Sequence, residues 1–229
     1  MKKIRMITMD GPDGLGKTTQ MNELKKYLYM LDRGYDVYNT KLLGGDGTCE
    51  YQAAFRKILL HEKFPKDSIK FEEMCFAESD LRGIEMTRAH LEAHPKSFCL
   101  KDRALASHVV YALAKGMSLE EVKDCHREVV RQEQLLNREF GVVHLIFVPD
   151  NVDWLLERIA RRSNEDGVEI VERLENRQTQ ERVVDALRWF KDMDVCLDLN
   201  VEIIEIVESD SILDVRRKVV DRLESAYTF

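Results

Sequence analysis

Apolar positions along this chain keep changing their period. Ile4 to Met9 is a short apolar stretch that stops at Asp10-Gly11-Pro12-Asp13-Gly14, a turn cluster no helix would cross, so it predicts a strand and then a loop. From Lys17 the apolar residues Met21, Leu24, Leu28 and Leu31 recur at three and four, the helical period, with Gly34 placed as the stop. Tyr35 to Thr40 alternates as a second strand, and Lys41 to Thr48 with Gly44, Gly45 and Gly47 is a second glycine-rich loop. Helical spacing returns at Glu50 to His61 and Ser68 to His94 before the strand-like Ser97 to Leu100, which leads into Asp102-Arg103. Helix is predicted again from Ala104 to Phe140, broken near Gly116, with Ser118 and Glu121 forming a capping box. Val142 to Val148 is nearly all apolar, the pattern of a central parallel strand covered on both faces. A helix marked by Val152, Leu155, Leu156 and Ile159 gives way to the polar stretch Arg161 to Glu172. Helix Arg173 to Met193, strand Val201 to Val207 and a last helix through Ile212 and Leu223 complete the pattern.

Five strands alternating with helices predict one α/β domain over residues 1–229, a parallel sheet flanked by helices on both faces. Residues 161–172 are the candidate for a short mobile lid.

The composition is 44% hydrophobic and 34% charged, enough for a core under a heavily charged surface, which excludes a disordered chain. A net charge of −7 supplies no broad cationic field, so no nucleic-acid partner is expected. No apolar run reaches the length of a membrane span, and the opening MKKIRMITMD turns acidic where a signal peptide would stay apolar. A cytoplasmic enzyme with no membrane partner is the expectation. The five cysteines, Cys49, Cys75, Cys99, Cys125 and Cys196, have no paired spacing and read as reduced thiols.

Gly11-Pro12-Asp13-Gly14-Leu15-Gly16-Lys17-Thr18 matches the phosphate-loop pattern G-x-x-x-x-G-K-[ST] at every fixed position, between a predicted strand and a predicted helix. Its backbone N–H groups would converge on phosphate oxygens at the positive end of the helix dipole, with Thr19 continuing the site. Lys17, read as an exposed loop cation, would reach the β- and γ-phosphates of ATP, and Thr18 would ligate Mg²⁺. No guanine-reading N-K-x-D follows on a later strand, and Asp102-Arg103 alone fills the second site.

The chain resembles the thymidylate kinase family at several separate motifs in the correct order. MDGPDGLGKTTQ is similar to that family's F-E-G-x-D-G-x-G-K-[ST]-T-Q, with Asp13 at the loop acid and Asp10 in place of Glu. Asn39 to Gly45 with Thr48 resembles T-R-E-P-G-G-T, with Lys41 at the arginine and two residues inserted. Met74-Cys75-Phe76-Ala77 resembles L-L-F-A, and Asp102-Arg103-Ala104 through Tyr111 resembles D-R-Y-x-x-S-x-x-A-Y, with Ala104 for the tyrosine. Glu157-Arg158-Ile159 with Arg161 and Arg162 resembles E-R-I and the lid arginines, and Glu172-Arg173-Leu174-Glu175 resembles D-R-x-E.

The resemblance implies transfer of the γ-phosphate of ATP to a deoxynucleoside monophosphate, dTMP above all, with Mg²⁺, in a homodimer formed through the helices at Ser68 to His94 and Ala104 to Leu113. It implies that Asp13, Lys41, Phe76, Arg103, Ser107, His108 and Tyr111 bind the acceptor, that Asp102 joins Thr18 at the metal, and that Arg103 is catalytic with Lys17. Leu15 occupies the loop slot where some members carry an arginine, so the closing charge is expected from Arg158, Arg161 or Arg162. The base-reading arginine falls on Asp80 without a gap, or on Arg82 with two residues inserted. A deoxynucleoside kinase, a kinase for another or modified base, and an ATP-sensing regulatory protein remain open from sequence.

Overall fold

The computed structural model describes residues 2–31, 34, 36–41, 69–166, 176–193 and 198–229. The helix expected at Glu50 to His61, the glycine-rich segment after Lys41, Cys49, Cys196 and the lid residues 167–172 lie outside the described residues.

Five strands form one parallel sheet: β2 (Met6–Asp10), β3 (Asp36–Lys41), β4 (Ser97–Asp102), β5 (Val142–Pro149) and β6 (Asn200–Ile206), in the order β3-β4-β2-β5-β6. All residues of β2, β4 and β5 are buried, as expected of strands covered on both faces. Because β2 has β4 on one side and β5 on the other, the loop after it opens at the point where strand order reverses, the place where such sheets bind ligands.

The helices are α1 (Lys17–Met30), α2 (Ile69–Ala93), α3 (Leu105–Ala114), α4 (Leu119–Phe140), α5 (Val152–Asp166), α6 (Arg177–Trp189) and α7 (Ile212–Ala226). The Ser118–Glu121 capping box starts α4 as its residue types dictate, each residue serving the other's backbone N–H. Arg5 spans the end of α2, donating to the carbonyls of Leu91 and His94, the groups a helix C-terminus leaves unpaired.

Several expectations are corrected. Helix α1 ends at Met30, with Leu31 as its cap, rather than running to Gly34. Helix α5 continues through Arg161 to Asp166, so the polar stretch begins as helix: polarity changes what a helix face meets, not whether its backbone bonds close. A two-stranded parallel pair joins β1 (Lys2–Lys3) to β7 (Tyr227–Thr228), a contact no local pattern announced. Helix α3, expected at a subunit interface, is packed between α2, α4 and α6, with Leu105, Val109, Val110 and Ala112 all at 1% exposure or less. It is a core helix, which removes Ala104 to Leu113 as an interface candidate.

Candidate active site

The phosphate loop follows β2 and ends at α1. Gly11 has φ +138, and a Cβ there would lie 2.5 Å from the Phe147 carbonyl oxygen, so only glycine lets the loop cross the end of β5. Gly16 (φ +74) is the N-cap of α1 and has no side chain to cap it, which leaves the first N–H groups of the helix available to an anion.

Lys17 is only 6% exposed, so it is a buried cation at the loop rather than the exposed one the sequence suggested. Its ammonium donates to the Pro12 carbonyl at 2.7 Å and lies 3.7 Å from Asp13. Burial, and then the nearby Arg103 charge, lower its pKa to about 8. A bound triphosphate would reverse that penalty by supplying the missing anion.

Arg103 follows β4 in the left-handed region (φ +66), an uncommon place for a residue with a side chain, and one that tends to mark function. This backbone turns the guanidinium across the sheet to the phosphate loop. Nη2 donates to Asp13 at 2.7 Å, while Nη1 donates to the Gly11 carbonyl at 3.3 Å and to Ser107 Oγ at 3.4 Å. The Tyr111 ring lies beneath it, 5.7 Å from ring centre to guanidinium carbon. Arg103, Asp13, Ser107 and Tyr111 are thus gathered at one end of the sheet.

Asp10 supplies what sequence reasoning missed. Its Oδ1 accepts from Ala104 N–H (2.8 Å), Ser107 N–H (3.0 Å) and Ser107 Oγ (2.6 Å), so a residue of β2 caps the N-terminus of α3. Ala104 cannot cap its own helix, and a carboxylate from the neighbouring strand does it instead. Ser107, expected to touch substrate, spends its hydroxyl proton on Asp10 and positions Arg103.

Thr18 Oγ1 donates to Asp102 Oδ2 at 3.5 Å, which brings a hydroxyl and a carboxylate together at the mouth of the loop. Two hard oxygen donors beside a phosphate site fit Mg²⁺.

Helix α5 lies against the loop: a Cβ on Gly14 would meet Leu155 at 3.3 Å, Ile159 at 3.4 Å and Arg158 Cβ at 3.6 Å. Arg158 places its guanidinium 4.7 Å from the Trp154 ring centre and donates to the Glu208 carbonyl at 3.3 Å. Arg161 is exposed, Arg162 lies on the same helix, and Lys41 is the last residue of β3.

On α2, Arg82 faces outward, 53% exposed and bridged to Glu78 (3.3 Å) and Glu85 (2.9 Å), which corrects its assignment as the base-reading group. Asp80 faces inward instead and is fully buried, with Lys101 Nζ 2.5 Å from its Oδ1. Phe76 is half-buried beside His108, centroids 5.4 Å apart. Around them lies a buried polar cluster with Lys101, Glu133, His126 and Glu73 that the sequence reading did not single out. A signal was present: Val122, His126, Val129, Glu133 and Leu136 share one helical stripe, so two polar residues stand at core positions of α4.

Glu133 lies 3.7 Å from Lys101, whose closer partner is Asp80, and burial raises its pKa to about 7. Raised above its unfolded value of 4.5, Glu133 stabilises the fold below pH 4.5, and that contribution is lost as pH rises through 7. Glu133→Gln, which cannot titrate, is therefore expected to gain about 3 kcal/mol of stability relative to the parent between pH 4.5 and 8. Denaturant unfolding of both proteins at the two pH values measures it. A pH-independent difference would mean that Glu133 does not change protonation on folding.

The thymidylate kinase family model matches residues 9–210. A thymidylate kinase of Finegoldia magna is 28% identical over 204 residues, covering 89% of this chain and 90% of that protein. A second, of Rhizorhabdus wittichii, is 28% identical over 191 residues, covering 80% and 82%. The solved structure of the Candida albicans thymidylate kinase superposes with a TM-score of 0.60 at 17% identity, covering 97% of this chain and 92% of that one, which shows a common fold. A phosphate loop facing a strand-end arginine across a β3-β4-β2-β5-β6 sheet, and a family model spanning residues 9–210, lead to one conclusion: this chain belongs to the thymidylate kinase family.

Proposed function

We propose that this chain transfers the γ-phosphate of ATP, with Mg²⁺, to dTMP, giving dTDP and ADP. A phosphate oxygen of dTMP attacks the γ-phosphorus, the bond from that phosphorus to the β,γ-bridging oxygen breaks, and ADP leaves with the bonding pair. The observation that carries this reading is Arg103, fixed at 2.7 Å from Asp13 where the acceptor end of the sheet meets the phosphate loop. Lys17 and the loop N–H groups would hold the β- and γ-phosphates. Thr18 and Asp102 would hold Mg²⁺, which would supply positive charge to offset that of the phosphates. Tyr111 and Phe76 would line the nucleoside, and Lys41 would add a second cation near the acceptor phosphate.

A nucleoside acceptor would need a carboxylate base to take the sugar hydroxyl proton. Among the described residues the acids at the strand ends and in the loop are paired, Asp10 with the N-terminus of α3, Asp13 with Arg103 and Asp102 with Thr18. A monophosphate is an anionic nucleophile and needs no base, which favours it over a nucleoside.

Incubation with ATP, Mg²⁺ and a panel of nucleosides and monophosphates, with products resolved by chromatography, tests the assignment. Phosphorylation of thymidine without turnover of dTMP would replace it with a nucleoside kinase. ATP hydrolysis with no acceptor product would favour a regulatory nucleotide-binding protein. Arg103→Ala is expected to lower kcat/KM for dTMP roughly 10- to 150-fold while ATP affinity changes far less, because one charged contact to a desolvated phosphate is lost. An equal loss toward both substrates would place Arg103 outside the acceptor site.

We place the protein in the cytoplasm as a homodimer joined through α2, whose Phe71 and Met74 are more than half exposed near its start. Among the described residues no helix is long and apolar enough to cross a membrane. Light scattering at micromolar concentration should give twice the chain mass, and a monomer mass would refute the dimer.

A further inference from the structure

Beneath the acid that caps α3, a row of buried polar side chains crosses three strands of the sheet. Lys101 of β4, Thr8 of β2 and His144 of β5 are register partners, so their side chains share one face, and each is 2% exposed or less. Asp10 stands two residues on from Thr8 and therefore on the same face.

This row is bonded to the active site. His144 Nδ1 and Thr8 Oγ1 are 3.0 Å apart, Thr8 Oγ1 donates to Asp10 Oδ2 at 3.4 Å, and Asp10 Oδ1 accepts the Ser107 hydroxyl at 2.6 Å. Arg103 Nη1 donates to that same Ser107 oxygen at 3.4 Å. A continuous chain of hydrogen bonds thus runs from β5, in the core, to the arginine that faces the phosphate loop.

We propose that Thr8 and His144 are positioning residues for phosphoryl transfer: His144 donates through Nδ1–H to Thr8, Thr8 donates to Asp10, and Asp10 holds the Ser107 hydroxyl so that its lone pair fixes the Arg103 guanidinium. This deepens the proposed function and rests on it.

The direction of the chain follows from counting protons. Ser107 has one hydroxyl proton and gives it to Asp10, so its oxygen can only accept from Arg103. Asp10 Oδ1 takes three donors at the N-terminus of α3, where a helix favours a carboxylate, and a carboxylate accepts on Oδ2 as well. Thr8 spends its single proton on Oδ2, so the nitrogen facing its oxygen must donate, which puts the proton of His144 on Nδ1. Burial pushes the His144 pKa down to about 4, so the ring is neutral near pH 7 and carries that one proton only. Nε2, enclosed and bonded to nothing among the described residues, is then a bare lone pair. The reverse direction would make Nε2 an enclosed N–H with no acceptor, and buried donors left unpaired are rare.

A chain so far from the phosphates matters because of the freedom it removes. A carboxylate turns easily about its last bond, whose torsional wells are broad. Thr8 ties Oδ2 to the sheet and so leaves Oδ1 on α3 and Ser107. A Ser107 proton turned toward Arg103 instead would oppose its charge. Nη1 has only long bonds to rest on, 3.3 Å to the Gly11 carbonyl and 3.4 Å to Ser107, so the aim of the guanidinium is sensitive to the loss of either. Small misplacements of a group that orients a reactant are costly to rate.

Thr8→Val keeps the branched shape and deletes the hydroxyl. It is expected to lower kcat/KM for dTMP roughly 5- to 30-fold while KM for ATP changes far less, and Thr8→Ser, which keeps the hydroxyl, should restore most of the loss. In an Arg103→Ala background Thr8→Val is expected to cost nothing further, because both changes act through one contact. His144→Leu should lower kcat/KM in the same direction, and His144→Asn, whose amide N–H can stand where Nδ1–H stood, should recover it. Nitrogen-15 NMR of the wild-type imidazoles reads the tautomer without any variant, and His144 is expected to be protonated at Nδ1 and bare at Nε2.

His144 protonated at Nε2, or kcat/KM for dTMP unchanged in a folded Thr8→Val, overturns the proposal and leaves dTMP kinase activity standing. An equal Thr8→Val loss with and without Arg103 also overturns it, since Thr8 would then support the fold and not the arginine. Should Thr8→Val fail to fold, the His144 pair and the tautomer decide in its place, and equal activity of His144→Leu and His144→Asn overturns the proposal. Failure of wild type to phosphorylate dTMP at all removes the proposed function and this role with it.

Discussion

Lys17→Ala is expected to abolish phosphoryl transfer, with kcat reduced on the order of 10³-fold or more. The expectation rests on where the charge sits. At 6% exposure its ammonium lies inside the mouth of the loop, held by the Pro12 carbonyl at 2.7 Å, where water screens little and a cation stabilises a phosphate strongly. That position is costly without a ligand, which is why its pKa falls to about 8. The same burial changes how the variant must be judged. Removing the stem leaves a void beside the loop, so circular dichroism and a melting curve accompany the assay, and Lys17→Met supplies a variant that keeps the apolar stem. A folded variant with near-wild-type turnover would remove the phosphate-loop assignment altogether.

The second large effect is expected on α5. Arg158, Arg161 and Arg162 stand at i, i+3 and i+4 in the sequence of α5, the helix that packs against Gly14 of the loop. Leu15, only 3% exposed, fills the loop slot between glycines with an apolar side chain, so the loop itself brings no arginine. Alanine at one of the three is expected to lower kcat about 10²-fold with little change in acceptor KM, the signature of a contact made mainly in the transition state. Arg158 already has its guanidinium on Trp154 and the Glu208 carbonyl, so the largest loss is expected outside it. If all three single variants turn over at the parent rate, the closing charge comes from another part of the molecule.

Legibility from sequence followed the range of each interaction. The strand at Val142–Pro149 announced itself because a strand buried on both faces must be apolar at consecutive positions, and all eight residues are buried. The Ser118–Glu121 box was readable because its partners are three residues apart. The phosphate loop was readable for the same reason: spacing, turn residues and flanking periods all lie within one short stretch. Asp10 was read only as a family substitution, although it caps α3 through groups 94 and 97 residues away. Arg82 and Asp80, two residues apart, could not be ranked without knowing which face of α2 meets the core, and that face turned out to hold Asp80 against Lys101.

The sequence by itself determined the alternation of strand and helix, the loop that would hold phosphate and the acid-arginine pair at the end of β4, because backbone preference and residue chemistry are local properties. Only the tertiary structure decided that Lys17 is buried, that Ser107 serves Asp10 and Arg103, and that Asp80 is closed off by Lys101 with His108 at its side. The reason is that a buried polar group must find a partner wherever packing brings one. That choice is made among elements distant in the chain, at a cost of a few kcal/mol for each group left unpaired.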